Sequence, residues 1–441
     1  MAHWFHRNPL KATNVVNFDL GKQASTPLAR NICSEAKTAR AALLALLPNP
    51  NTDLAALNAA AEKYLGILRG FVEPTTDPNA KPAAQSQGSG DGEGGQEQEM
   101  VASGSQDGKL RNAIKFTWSN SLGEKHTSQY DVIFEQIMIL FNIALWHTKH
   151  AAALAGAKED IEDNDAKEVH KCLRSAAGIF KYIDETLTAK LFERTGDGTD
   201  LDPNVLKAYI QQCTAEAQEV TVARAIEMKH ATNLVSSLAF ETGKLFKLAD
   251  NSLKAVEETL VNKWRKYLQL KATFYLAYAH CYHAQTLLAQ DKCGAAVRSA
   301  KESQTQYQKA EELGRTYAST KGPGRSAKPQ EHAFFRRLGP LIRRNLEKVE
   351  RENGFIYYQK VPDEVPELPT KATYGLASPV DFEMPSKSED WTAETYSGFK
   401  VANASPEERA KEKDDTPKPV KEVPVNPTDK ESSNSSGCIV S

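Results

Sequence analysis

Cysteine is scarce and scattered in this chain: Cys33, Cys172, Cys213, Cys281, Cys293 and Cys438 form no C-x-x-C pair. That excludes a disulfide-stapled framework and a zinc ribbon, and it fits a reducing compartment. Net charge is also lacking, with 55 Lys and Arg against 57 Asp and Glu. No global field draws the chain to nucleic acid or to an acidic surface. No apolar run reaches the roughly 20 residues of a membrane span. The most apolar stretch, Val132 to Trp146, is broken by Glu135, Gln136 and Asn142 and predicts a buried helix. At the N-terminus His6, Arg7 and Asn8 stand where a secretory signal needs apolar residues, so no export is expected. The N-x-S/T matches at Asn403 and Asn434 then meet no glycosylation machinery.

Catalytic motifs are missing too. There is no G-x-S-x-G, no Gly-Lys-Ser/Thr phosphate loop and no H-E-x-x-H. His147 with His150, and His280 with His283, have i, i+3 spacing, but neither pair has an intervening carboxylate or an evident third ligand. The expectation is a non-enzyme with no cofactor, no metal, no nucleic acid and no small-molecule substrate.

What is present is helix. At 441 residues and 40% hydrophobic content the chain can bury a sizeable core. After an extended entry from Trp4 to Leu20, three- and four-residue spacing predicts a helix from Leu28 to Leu47 and another from Leu57 to Val72 behind an Asn51-Thr52-Asp53 cap. Residues 74–108, rich in Gly, Ser and Gln, predict a disordered loop. A short strand at Ile114 to Trp118 precedes helices predicted over 128–156, 165–192, 203–226, 234–249, 256–290, 292–320 and 329–352. Phe355 to Tyr358 reads as strand-like. Prolines 362, 366, 369, 379 and 385 then forbid helix, while Tyr374, Leu376, Val380, Phe382 and Trp391 are too apolar for a free linker. Residues 361–400 therefore predict an extended segment packed on the domain, and 401–441 a disordered tail. Consecutive helices with wide apolar faces predict an elongated, mostly α solenoid of tetratricopeptide-like pairs.

The tail ends in Cys438-Ile439-Val440-Ser441, a CaaX prenylation signal whose terminal Ser favours farnesyl. Farnesyltransferase is the expected modifying enzyme. Removal of Ile439, Val440 and Ser441 and carboxyl methylation of Cys438 would follow on internal membranes. From Glu407 to Glu431 the tail has eight acids against six bases, so no polybasic patch supplements the lipid.

Three segments carry a family resemblance: Ala176-Ala177-Gly178-Ile179-Phe180, Ala217-Gln218-Glu219-Val220, and Glu352-Asn353-Gly354-Phe355-Ile356-Tyr357. In this order they resemble the BRO domain family, boomerang-shaped helical scaffolds of the ESCRT pathway, over about Met1 to Pro385, and the implied BRO domain spans residues 1–400. The resemblance implies an adaptor that binds the C-terminal amphipathic helix of ESCRT-III subunits of the charged multivesicular body protein 4 type. Because prenylated tails are processed on the cytosolic face of the endoplasmic reticulum, continuous with the nuclear envelope, the lipid anchor predicts a cytoplasmic protein peripheral on endosomal, endoplasmic reticulum and nuclear-envelope membranes. Carried over by position, the groove residues are Lys171, Phe274, Tyr278 and Leu376. Each has a plainer role: Lys171 as part of a solvated face, Phe274 and Tyr278 as core, Leu376 as a peg fastening the segment down. A generic helical scaffold delivering an unrelated cargo remains the alternative.

Overall fold

In a computed structural model the described residues are 4–74, 108–156, 161–400 and 415–425, apart from positions 124, 195, 326, 370, 371 and 373. The loop expected at 74–108 and the CaaX box lie almost wholly or wholly outside them.

The entry segment has no regular structure of its own and is threaded into the interior. Trp4, His6, Arg7, Lys11 and Phe18 are all buried. Its polar groups are paired there: Lys11 N–H and C=O bond Asn142, and Asn8 donates to Tyr209. Helices α1 (Pro27–Leu46) and α2 (Leu54–Val72) form a hairpin, each started by a capping side chain, Thr26 and Asp53. Strands β1 (Phe116–Ser119) and β2 (His126–Gln129) pair antiparallel, Phe116 opposite Gln129. Helix α3 (Val132–Gly156) is buried all round, as its lack of a polar face requires.

Six further helices follow: α4 (Asp163–Tyr182), α5 (Pro203–Glu227), α6 (Thr232–Ser252), α7 (Glu258–Ala289), α8 (Cys293–Ser319) and α9 (Ala333–Glu352). From α3 on, each packs chiefly on the next in sequence, which makes the fold a mostly α, boomerang-like array. A short α10 (Ala393–Ser397) returns to the start, and Ser25 N–H bonds Gly398 C=O.

Three expectations are corrected. Ser128 lies in β2 and not in α3: a polar His-Thr-Ser-Gln run carries no strand signature of its own, and pairing with β1, including a 2.7 Å Thr117–Ser128 hydroxyl contact, decides its state. Phe355 to Tyr358 is no strand. Asn353–Tyr357 is a π-helical turn closed by Tyr358 at φ 50°, and Asn353 holds both backbone groups of Gln359. Aromatic β-propensity found no partner edge there. The tail is not free throughout, because residues 415–425 are seated on the domain.

Candidate functional site

The site is built around an extended strap, residues 359–391, that crosses the helices. It meets α5 first. Gln218 Nε2 donates to Gly375 C=O at 2.8 Å, and Ala377 N–H donates to Gln218 Oε1 at 2.6 Å. One amide side chain thus clamps the backbone on both sides of Leu376. Gly375 itself sits at φ +80°, a conformation that strains other residues. The clamp turns Leu376 outward, 54% exposed, beside exposed Tyr374 and part-exposed Val380.

On α4 the strap is laced on by Val380 N–H to Arg174 C=O (3.1 Å) and Arg174 Nε to Ser378 C=O (2.6 Å). A Cβ at Gly178 would lie 1.6 Å from Val380 O, so only glycine admits this approach. On α2, Arg69 donates to Pro385 C=O, and Trp391 Nε1 donates to Ile67 C=O at 2.9 Å. The strap, α2, α3 and α4 border an open hollow of about 220 Å³ lined by Leu65, Ile143, Ile179, Phe382 and Lys171 among others. Leu376 and Lys171 therefore share the strap-crossed side of the array. Leu376 stands over α5, and Lys171 stands at the hollow toward α2.

Phe274 and Tyr278 are corrected as groove residues. Both are buried; Phe274 stacks on Phe335 (ring centroids 5.1 Å) and edges onto Trp4, while Tyr278 stacks on Phe334. Their stripe is wide because α6, α8, the entry segment and the start of α9 all close on α7. Cys438 lies outside the described residues.

Beneath the strap is a layer of buried ion pairs. Glu219, next to the clamp, holds Lys271 at 2.7 Å, and the Lys271 ammonium lies 3.7 Å from the Trp4 ring centroid. Burial lowers the Lys271 pKa, and Glu219 opposes that shift. Glu216 pairs with Arg7 at 2.8 Å and accepts from Tyr267 and Gln212. The Ala-Gln-Glu-Val motif thus has a physical basis: Gln218 fastens the strap, and Glu219 fixes α7 and the entry segment. Burial also lowers the imidazole pKa of His6 to about 3 and of His147 to about 4.

Sequence reasoning missed Gln218 and Arg174 as positioning residues, and a basic trough between α9 and α7. Its two adjoining hollows, about 530 and 580 Å³, share Leu341 and Arg344, with Arg336, Arg337 and Lys348 along them. The Arg-rich polar face of α9 is the sequence signal that marks it.

Known proteins agree with this architecture. The profile described as "BRO1-like domain" matches residues 105–399. The chain is 45% identical to "BRO1 domain-containing protein BROX" of Danio rerio, over 100% of both chains. To the Homo sapiens protein of that description it is 45% identical, over 90% of this chain and 91% of that one. To the Caenorhabditis elegans homolog it is 42% identical over the whole of both. Among solved structures, the "ALIX BRO1 CHMP4C complex" superposes with a TM-score of 0.61 at 20% identity, over 87% of this chain and 97% of that one. A structure described as "Structure basis for endosomal targeting by the Bro1 domain" gives 0.59 at 19%, over 90% and 98%.

Proposed function

The chain belongs to the BRO1-like domain family, and on that premise we propose that it is a non-enzymatic, lipid-anchored adaptor for ESCRT-III. Its strap receives the C-terminal amphipathic helix of a subunit of the charged multivesicular body protein 4 type. The observation that carries this reading is Leu376. A large apolar side chain is held outward between a two-point clamp and a left-handed glycine. An amphipathic helix offers apolar side chains at i, i+3 and i+4 to such an anchor, and flanking cations such as Lys171 set its register. The ALIX relative named above was solved with CHMP4C, which supports the partner class.

Cys438 supplies membrane attachment as a farnesylated, carboxyl-methylated terminus. Among the described residues no helix is long and apolar enough to cross a bilayer. One lipid chain binds only marginally, so residence on endosomal, endoplasmic reticulum or nuclear-envelope membranes requires partner and lipid together. Membrane remodelling or repair is the process served.

Titration with the partner helix tests the groove. Leu376→Asp is expected to weaken binding by roughly 30-fold or more, as for a central anchor, with an unchanged thermal melt. Lys171→Glu should cost about two- to fivefold and depend on salt. Unaltered affinity in Leu376→Asp overturns the assignment. Cys438→Ser should bind the helix normally and leave the membrane fraction.

A further inference from the structure

Residues 415–425 lie antiparallel to the entry segment. Asn14 Nδ2 donates to Asp415 C=O at 2.6 Å, and Leu10 N–H donates to Glu422 Oε1 at 2.7 Å. Beyond these, Val423 N–H bonds Pro48 C=O at 2.9 Å, and Arg325 reaches Glu422 C=O. Pro417 and Val425 are buried, Val425 in the cluster formed by Phe5, Ala151, Ala152 and Val169. The centre of the contact is electrostatic. Lys149 on α3 is buried, and its ammonium is 2.7 Å from Glu422 Oε2.

Arg7 and Arg325 also bear on Lys149, and Arg7 is committed to Glu216. Among the described residues Glu422 is the carboxylate at ion-pair distance from Lys149. A buried ammonium among like charges needs a counter-ion. Here the counter-ion comes from the tail, and a backbone N–H takes the second carboxylate oxygen. Prolines 417, 419 and 424 restrict the segment to extended conformations before it docks, which lowers the ordering cost.

We propose that the surface between Leu10–Asn14, the Pro48 turn, Lys149 and Arg325 is a binding site for an extended, proline-bounded peptide carrying one glutamate. Its occupant is the chain's own tail at 415–425, acting as a latch. The latch leaves residues 426–437, twelve in all, between its end and Cys438, against thirty-seven (401–437) if the tail left the domain at Lys400. At about 3.5 Å per residue the cysteine is held within roughly 45 Å of Val425, where the unlatched tail would reach roughly 130 Å from Lys400. The edge bearing Pro48, Lys149 and Val425 is then the side from which a lipid would emerge. That last step rests on prenylation of Cys438; the latch itself does not.

Residue-resolved hydrogen exchange on the full chain tests the latch without any lipid or ESCRT-III subunit. The Leu10 and Val423 amides are expected to be protected, and Glu422→Lys should speed Val423 exchange by about tenfold or more while α7 amides stay unchanged. Free exchange of Val423 in the unaltered chain overturns the proposal. A second arm needs no variant of the chain: a synthetic peptide of residues 413–427, in excess, should displace the latch and accelerate the chain's own Val423 amide. The same peptide with Glu422→Gln should be at least about tenfold less effective. Equal action of the two peptides overturns the site's preference for a carboxylate.

Discussion

Glu219 and Lys271 are a buried pair whose two members have no exposed alternative. Glu219→Ala leaves an ammonium unpaired against Trp4 and is expected to cost about 3–5 kcal/mol in urea denaturation. The double variant Glu219→Leu with Lys271→Met should recover most of that loss, because an apolar pair needs no counter-charge. His6 and His147 act through pH. Their folded pKa values, about 3 and about 4, lie below the ordinary 6.5. The unfolded chain therefore takes up protons that the folded one refuses as pH falls through 6.5. Stability is full above that pH and should fall by about 1.4 kcal/mol per unit below it for each ring, or about 3 kcal/mol for both between pH 7.5 and 5.5. Urea midpoints over that range check it, and His147→Asn should flatten the slope. The exposure of Leu376 was legible in the sequence because prolines around it removed any helical reason for an apolar residue. Phe274 and Tyr278 were not, since an apolar stripe looks the same whether it faces a core or a partner.

The helices were legible as elements, because 3.6-residue periodicity and caps such as Asp53 are local properties. β2 and the turn at Asn353 were not: β2 owes its state to pairing with the neighbouring β1 and not to its own polar sequence, and the turn is set by Asn353 gripping the backbone of Gln359. The strap stands between these cases: its prolines predicted an extended path, but its track across α5, α4 and α2 depends on Gln218 and Gly178. Gly178→Ala puts a methyl where the Val380 carbonyl now lies. The strap is expected to lift from α4 and be cut about tenfold faster in limited proteolysis, with helix content by circular dichroism unchanged. Loss of helix content would mean that the strap supports α4 and not the reverse.

The order of helices along the array was legible because consecutive helices with wide apolar faces pack chiefly on their neighbours in sequence. The two segments that pass through or along the array, 4–20 and 415–425, carry no periodicity, and nothing local says where they lie. Their contacts nonetheless join the ends of the molecule: Leu10 bonds Glu422, His6 meets Tyr317, and Arg7 pairs with Arg325 across an isolated bridge. Trp4→Ala should cost about 3–5 kcal/mol, as for any fully buried large aromatic. The threaded entry segment also constrains biosynthesis. Trp4 and His6 of the entry segment pack against Tyr267, Phe274, Tyr317 and Phe335, which are made more than 250 residues later. At about 5–20 residues per second, Trp4 waits on the order of 15–60 s without its native cover. During translation the entry segment is therefore an exposed apolar stretch, and slowing elongation downstream of Glu219 should raise aggregation rather than yield.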